Sequence, residues 1–299
     1  MKKNTLLVSV LTLALLQACG GDGDDNNVTP PPSGGDGGGA VTPPSGGDEG
    51  DAVTPPSGGD EGDAVTPPSD GDEGGGDQGG VQAAFVPSDL ARYMLFYQNG
   101  SSNGARVNAE QAADGGITSL GGYSLSDGAI KDMAGDASYA LGRWVSGTVT
   151  SSTGSSQITG ADAGSYHYAV YNIPASFPAT GAYACAQQTA TTPTRVSGSG
   201  ADTGSVDGAA NLSFDSTGAH LSGAMTVTVG GENVTVSLPA SIASPTSLGI
   251  SGQFLASGAG AGVQVIVADG GYALMAAYAA QLANGALYHG IARMSCSAN

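Results

Sequence analysis

The stretch "AMTVTVGGENVTVSL" (224–238) constrains this chain more than any other part of it. Met225, Val227 and Val229 alternate with Thr226 and Thr228. Val234, Val236 and Leu238 alternate with Thr235 and Ser237. A period of two puts each apolar set on one face of a strand. Gly230-Gly231 between the runs is a tight-hairpin signal. Segments of similar length recur at 180–188, 209–215, 220–229, 232–240, 249–257, 262–269, 272–281 and 285–294, separated by turns rich in Gly, Asn, Asp and Pro. Eight strands joined by short turns predict an all-β, eight-stranded antiparallel barrel over 180–299.

Within that run "YALMAAYAAQL" (272–282) is ambiguous. Tyr272, Met275, Ala279 and Leu282 have helix-like spacing, and alanine favours a helix. Hairpin logic assigns a strand, and we read it so. Closing the barrel sets the first strand beside the last. Cys185 lies on the first and Cys296 just after the last, so a disulfide between them would staple the seam. Passage through an oxidising compartment favours that pairing, and a loop of about 110 residues would contribute on the order of 4–5 kcal/mol in the chain-entropy model. Two unpaired buried thiols are the alternative; a metal site is not supported by two Cys alone. Alternation leaves open whether the apolar face points inward or toward lipid. An N-terminal anchor and the lack of aromatic girdles favour a soluble barrel.

Upstream, residues 81–179 hold a looser set of strand-like segments at 91–100, 117–127, 138–152 and 165–175. They predict a smaller β-rich handle subdomain packed on the barrel. Residues 19–80 differ in kind. Four copies of a "VTPPSGGDEGDA"-like repeat start at Val28, Val41, Val53 and Val65, and the segment carries 14 acids with no Lys or Arg. One Val per repeat cannot offset the cost of ordering the backbone. The expectation is a disordered acidic linker, with a root-mean-square span of roughly 45 Å as a flexible coil. "DGDDNN" lacks the Gly and Glu positions of an EF-hand loop.

The chain begins with Lys2 and Lys3 and an apolar run from Leu6 to Leu16, the pattern of a secretory signal over 1–18 and too short to span a bilayer. Leu16-Gln17-Ala18-Cys19 resembles the bacterial lipobox, which implies acylation (palmitate among the chains) at Cys19. Gly20 after the cysteine, in place of the Asp that commonly retains such proteins at the inner membrane, implies the outer membrane.

Chemistry is sparse. Beyond residue 80 there are 12 acids and 6 bases, a balance that argues against nucleic-acid partners. "GAGAG" (258–262) lacks G-x-G-x-x-G spacing and reads as a hairpin turn. None of His167, His220 and His289 belongs to a metal-ligand pair. These features point away from an enzyme. Tyr166-His167-Tyr168 is the sharpest cluster: on a strand the two Tyr share a face and His167 points oppositely. It could supply a haem ligand, or the tyrosines could pack the handle core with His167 exposed. Trp144 is either a core anchor or a binding hot spot. Tyr288-His289 reads as plain barrel packing.

The stretches "GRWVSGTV" (142–149), "FPATGAYACA" (177–186), "GAANLSFDSTGAHLSGAMTVTV" (208–229) and "GALYHGIARM" (285–294) resemble surface lipoproteins of the transferrin-binding-protein type in Gram-negative bacteria. The resemblance covers roughly 140–299. It implies a lipidated cysteine, a flexible leash, a β-rich handle and an eight-stranded barrel, with room for one lobe rather than a full receptor's two. It also implies a ligand such as a host protein or haem carrier, and partnership with an outer-membrane transporter. It carries over no binding residues. The functional expectation is a non-enzymatic, lipid-anchored outer-membrane surface protein that binds a host or environmental ligand, for iron or haem acquisition or immune evasion. The alternative is a structural or phage-exclusion envelope lipoprotein without a host ligand.

Overall fold

A computed structural model describes residues 80–98, 100–105, 107–160, 163–254 and 258–299. The signal segment, Cys19 and the acidic repeats lie outside the described residues. The first half of the described chain forms β1 (Ala91–Tyr97), β2 (Gly100–Ala105), β3 (Glu110–Gln111), β4 (Ile117–Leu120), β5 (Tyr123–Ser126), β6 (Ile130–Asp136), β7 (Tyr139–Trp144), β8 (Ser146–Ser151), β9 (Gly154–Thr159) and β10 (Tyr166–Asn172). The second half forms β11 (Gly181–Ala190), β12 (Thr194–Ser197), β13 (Ser205–Asp215), β14 (Gly218–Val229), β15 (Glu232–Ser237), β16 (Ser241–Ile242), β17 (Gly249–Gly252), β18 (Gly260–Ala268), β19 (Gly271–Gln281) and β20 (Leu287–Ala298). Among the described residues no helix is long and apolar enough to cross a membrane.

The C-terminal strands make one strongly curled antiparallel sheet in the order β15-β14-β13-β11-β20-β19-β18-β17, with β12 added to β20 and β16 to β14. The eight-stranded, all-β expectation therefore holds, and the first and last strands are neighbours: Cys185 on β11 is the register partner of Cys296 on β20. Their sulfurs are bonded, with Cα atoms 4.0 Å apart. The seam, however, lies elsewhere. β15 and β17 are the two ends of the hydrogen-bonded path, so the sheet is a half-barrel rather than a fully closed one. Ser251 Oγ on β17 donates to the Ser237 carbonyl on β15 at 2.5 Å, a side-chain link where a closed barrel would have a ladder.

The hairpin at Gly230-Gly231 forms as read. Both residues have positive φ (57° and 87°), and Val229 pairs with Glu232 across the turn. Met225, Val227 and Val229 are buried inside the curl with Leu212, Phe214 and Val236, and Val234 packs against the same cluster. The ambiguous 272–281 segment is strand β19. Leu274, Ala276, Tyr278 and Ala280 face the interior, while Ala273, Met275, Ala277 and Ala279 pack outward against the handle. With both faces buried, polar residues are excluded from both, and the period-two signal disappears.

The handle is two sheets: β2-β1-β10-β7-β6 and β3-β4-β5-β8-β9. The first is the middle layer. Met94, Phe96, Leu141, Ala169 and Tyr171 pack on the outer wall of the half-barrel. Its other face, with Leu95, Trp144, Tyr168 and Val170, packs on Ile117, Leu120, Val149 and Ile158 from the outer sheet. The run read as one segment over 138–152 breaks at Val145, whose N–H donates to the Ala129 carbonyl, and its halves β7 and β8 join different sheets. The 117–127 segment is likewise a hairpin, turning at Gly121-Gly122 with positive φ at both. The glycine run after Gly258 is a turn only at its start, since β18 begins at Gly260.

A polar patch lies where the handle meets the wall. Arg143 is buried and pairs with Asp132 at 2.9 Å. Asp132 also accepts the Thr192 N–H at 2.8 Å, tying the middle sheet to the link between β11 and β12.

Candidate functional site

β10 places Tyr166, His167 and Tyr168 on alternating faces as the strand period requires, but the surroundings differ from expectation. His167 is not exposed. It is fully buried against the wall, with Nδ1 2.7 Å from Thr191 Oγ1 and Nε2 2.7 Å from Thr194 Oγ1. Burial, then the nearby Arg143 and His289, hold its pKa well below the ordinary value, so the ring is neutral. The reading fails because the face opposite the tyrosines meets a second layer of protein, which one strand's periodicity cannot reveal. Tyr168 is also fully buried, and its hydroxyl accepts the Ile117 N–H at 3.1 Å. Trp144 is a core anchor: it has no exposed surface, and its Nε1 donates to the Ile117 carbonyl at 2.6 Å. Both nitrogens of His167 are thus engaged by threonines, and neither Tyr168 nor Trp144 presents surface to a ligand.

Tyr166 alone of the four is partly open. Its ring stacks on Tyr97 at 4.9 Å, and its hydroxyl is 3.1 Å from Ser156 Oγ. Tyr97 shares a 3.1 Å hydrogen bond with Tyr123, and burial followed by that bond pushes its pKa up to about 12. Together with Ser151, Thr153 and Ser155 these rings line a shallow cleft of about 230 Å³ on the handle. His289 is buried beneath Phe96, the rings stacked with centroids 3.8 Å apart, and burial lowers its pKa to about 3.

A cleft of about 580 Å³ opens at the edge of the contact between handle and half-barrel. Five stretches distant in sequence build it. Gln82 comes from the segment before β1, and Asp136 and Tyr139 flank the β6–β7 turn. Gln188 and Thr189 come from β11, Asp269 and Tyr272 from the β18–β19 hairpin, and Arg293, Ser295 and Cys296 from β20. β20 residues with even numbers, such as Tyr288, Ala292 and Met294, face the interior. Arg293 therefore points outward, toward the handle. Its guanidinium lies over the Tyr139 ring at 4.3 Å, and Nη1 donates to Gln188 Oε1 and to Ser295 Oγ, the latter at 2.8 Å. Asp136 is occupied separately, accepting from Ser138 N at 2.7 Å and Ser138 Oγ at 2.6 Å.

No family model, curated protein or solved structure matches this chain. Function must accordingly be read from the clefts. Among the described residues no group of three or more His, Cys, Asp or Glu is arranged to hold a metal. Sequence reading missed Arg293, Tyr139 and Gln188. The available signal was a cation in the middle of "YHGIARMSC", since a charge in an otherwise apolar strand needs a reason to be there.

Proposed function

We propose that this chain is a non-enzymatic ligand-binding lipoprotein, anchored through Cys19 in the outer membrane and displayed at the cell surface on its acidic repeat segment. The observation that carries the binding half of this reading is the 580 Å³ cleft, where polar groups converge beside Tyr139 and Tyr272 in a volume typical of small-molecule sites. The anchoring half is supported by the lipobox-like Leu16–Cys19 and the repeats that follow. Tethering raises the effective concentration of the module near membrane partners such as an outer-membrane transporter. A host protein or haem carrier is the kind of ligand the family resemblance suggests.

Palmitate labelling of the wild type and of Cys19→Ala tests the anchor: label must be present in the first and absent in the second. Proteinase K on intact cells must cleave the protein, and full protection excludes display. Capture from host serum, with mass spectrometry, tests for a macromolecular ligand.

One observation favours the second reading, a structural or phage-exclusion role in the envelope. Among the described residues the exposed large hydrophobics are Val86 and Leu90, a sparse surface for a protein partner. A deletion strain with altered phage sensitivity or envelope integrity, and no serum partner, selects that reading.

A further inference from the structure

Arg293 carries a charge that no carboxylate among the described residues pairs with. It is 4% exposed. Two arginines bonded to acidic side chains make the contrast: Arg143 pairs with Asp132 at 2.9 Å and Arg195 with Asp202 at 2.5 Å. No carboxylate among the described residues lies within ion-pair distance of Arg293. Among the described residues its buried Nε has no hydrogen-bond partner and Nη2 donates to none. Taking an arginine out of water without a counter-ion is costly. The Tyr139 face and two neutral oxygens compensate in part. The Nε–Nη2 edge, which receives a carboxylate side-on through two parallel N–H donors, is the edge left without partners.

We propose that the cleft is a receptor site for a small amino-acid-type zwitterion, a free amino acid or short peptide, whose carboxylate is received by Arg293. The proposal deepens the ligand-binding reading and rests on it. The carboxylate follows from the buried guanidinium in the lining, which has no carboxylate partner among the described residues. The accompanying ammonium follows from the rest of the lining: Asp136 and Asp269 place two acids around one cation, which disfavours polyanions such as phosphate and favours a ligand that brings a positive charge of its own. Gln188, Ser295 and Tyr272 supply further polar and aromatic contacts, and a volume of about 580 Å³ accommodates a ligand of this size.

The test is NMR titration of the purified full-length protein with its arginine Nε labelled with ¹⁵N. The probes are a mixture of the twenty amino acids, a dipeptide mixture, the matching C-terminal amides, and inorganic phosphate, each to about 50 mM at constant ionic strength. The expected result is a saturable shift of the Arg293 Nε–H signal with acids of either mixture, at least about tenfold weaker for the amides. Arg293→Lys, which keeps the charge but loses the fork, should bind about tenfold or more weakly while its circular dichroism is unchanged. If Arg293→Lys fails to fold, the acid-versus-amide comparison on the wild type decides alone. The proposal is overturned by no saturable shift from either mixture, by amides that match acids, by phosphate as the stronger ligand, or by unchanged binding in folded Arg293→Lys. A partner captured from serum in the absence of any such shift would leave the ligand-binding reading standing and remove only this site.

Discussion

Tyr278 on β19 lies across Gly290, its register partner on β20, so closely that a Cβ on Gly290 would fall 2.3 Å from the tyrosine oxygen. Tyr168 and Gly142 repeat the arrangement between β10 and β7, also at 2.3 Å. Glycine makes room in a strand for a ring to lie flat over the backbone. The two tyrosines differ at their tips. Tyr168 accepts a backbone hydrogen bond, whereas the buried Tyr278 hydroxyl has no partner among the described residues.

Gly290→Ala should therefore destabilise the protein by about 1–3 kcal/mol through overpacking. Gly271→Ala, whose added Cβ meets nothing closer than 4.0 Å, should stay within about 0.5 kcal/mol of the wild type. Tyr278→Phe should raise stability by about 1 kcal/mol by removing an unsatisfied buried hydroxyl, and Tyr168→Phe should lower it by a similar amount. Chemical denaturation of the four variants measures all of these signs.

Reduction of Cys185–Cys296 joins a different argument. The bridge closes a loop across 111 positions between strands that are already hydrogen-bonded neighbours. Its contribution is mainly to restrict the unfolded chain, on the order of 4–5 kcal/mol in the chain-entropy model. A Cys185→Ala/Cys296→Ala protein should keep the β-sheet circular dichroism of the wild type at low temperature and unfold at a clearly lower temperature. Equal melting temperatures with and without reductant would remove this account.

Acid should loosen the contact between handle and half-barrel. His167 and His289 are both buried, with folded pKa values below the ordinary 6.5 or so, that of His289 at about 3. A depressed folded pKa means that the unfolded chain binds more protons. The stability these residues permit is complete above roughly pH 6.5 and declines as pH falls toward their folded values, by up to about 1.4 kcal/mol per pH unit for each ring. Denaturation at pH 7, 6 and 5 should show that slope. His167→Gln and His289→Phe should each flatten it, and an unchanged slope in the double variant would assign the acid response to other groups.

Haemin should leave the protein's spectrum as the sum of its parts. The His167 nitrogens are held by Thr191 and Thr194, Tyr168 is buried, and Tyr166, the partly exposed member of this cluster, is already bonded to Ser156. A shifted Soret band that disappears in Tyr166→Phe would place a haem ligand in the handle cleft after all.

The amino-acid sequence by itself determined the strands whose two faces meet different media. In β14 and β15 one side sees the core and the other water, so apolar and polar residues alternate, and Gly230-Gly231 marks the turn between them. It also placed the two cysteines at the ends of the barrel segment, where they pair. Tertiary structure decided what a single strand cannot encode. β19 lost its alternation because the handle covers its outer face. His167 was sealed by residues 24 and 27 positions away. The break in the barrel fell between β15 and β17. Arg293 acquired its meaning only when Tyr139 and Gln188, more than 100 positions earlier, came to surround it. Local sequence specifies the period of a strand. Which surface covers each face, and whether a buried charge finds its counter-ion, depends on residues that only the packed layers bring together.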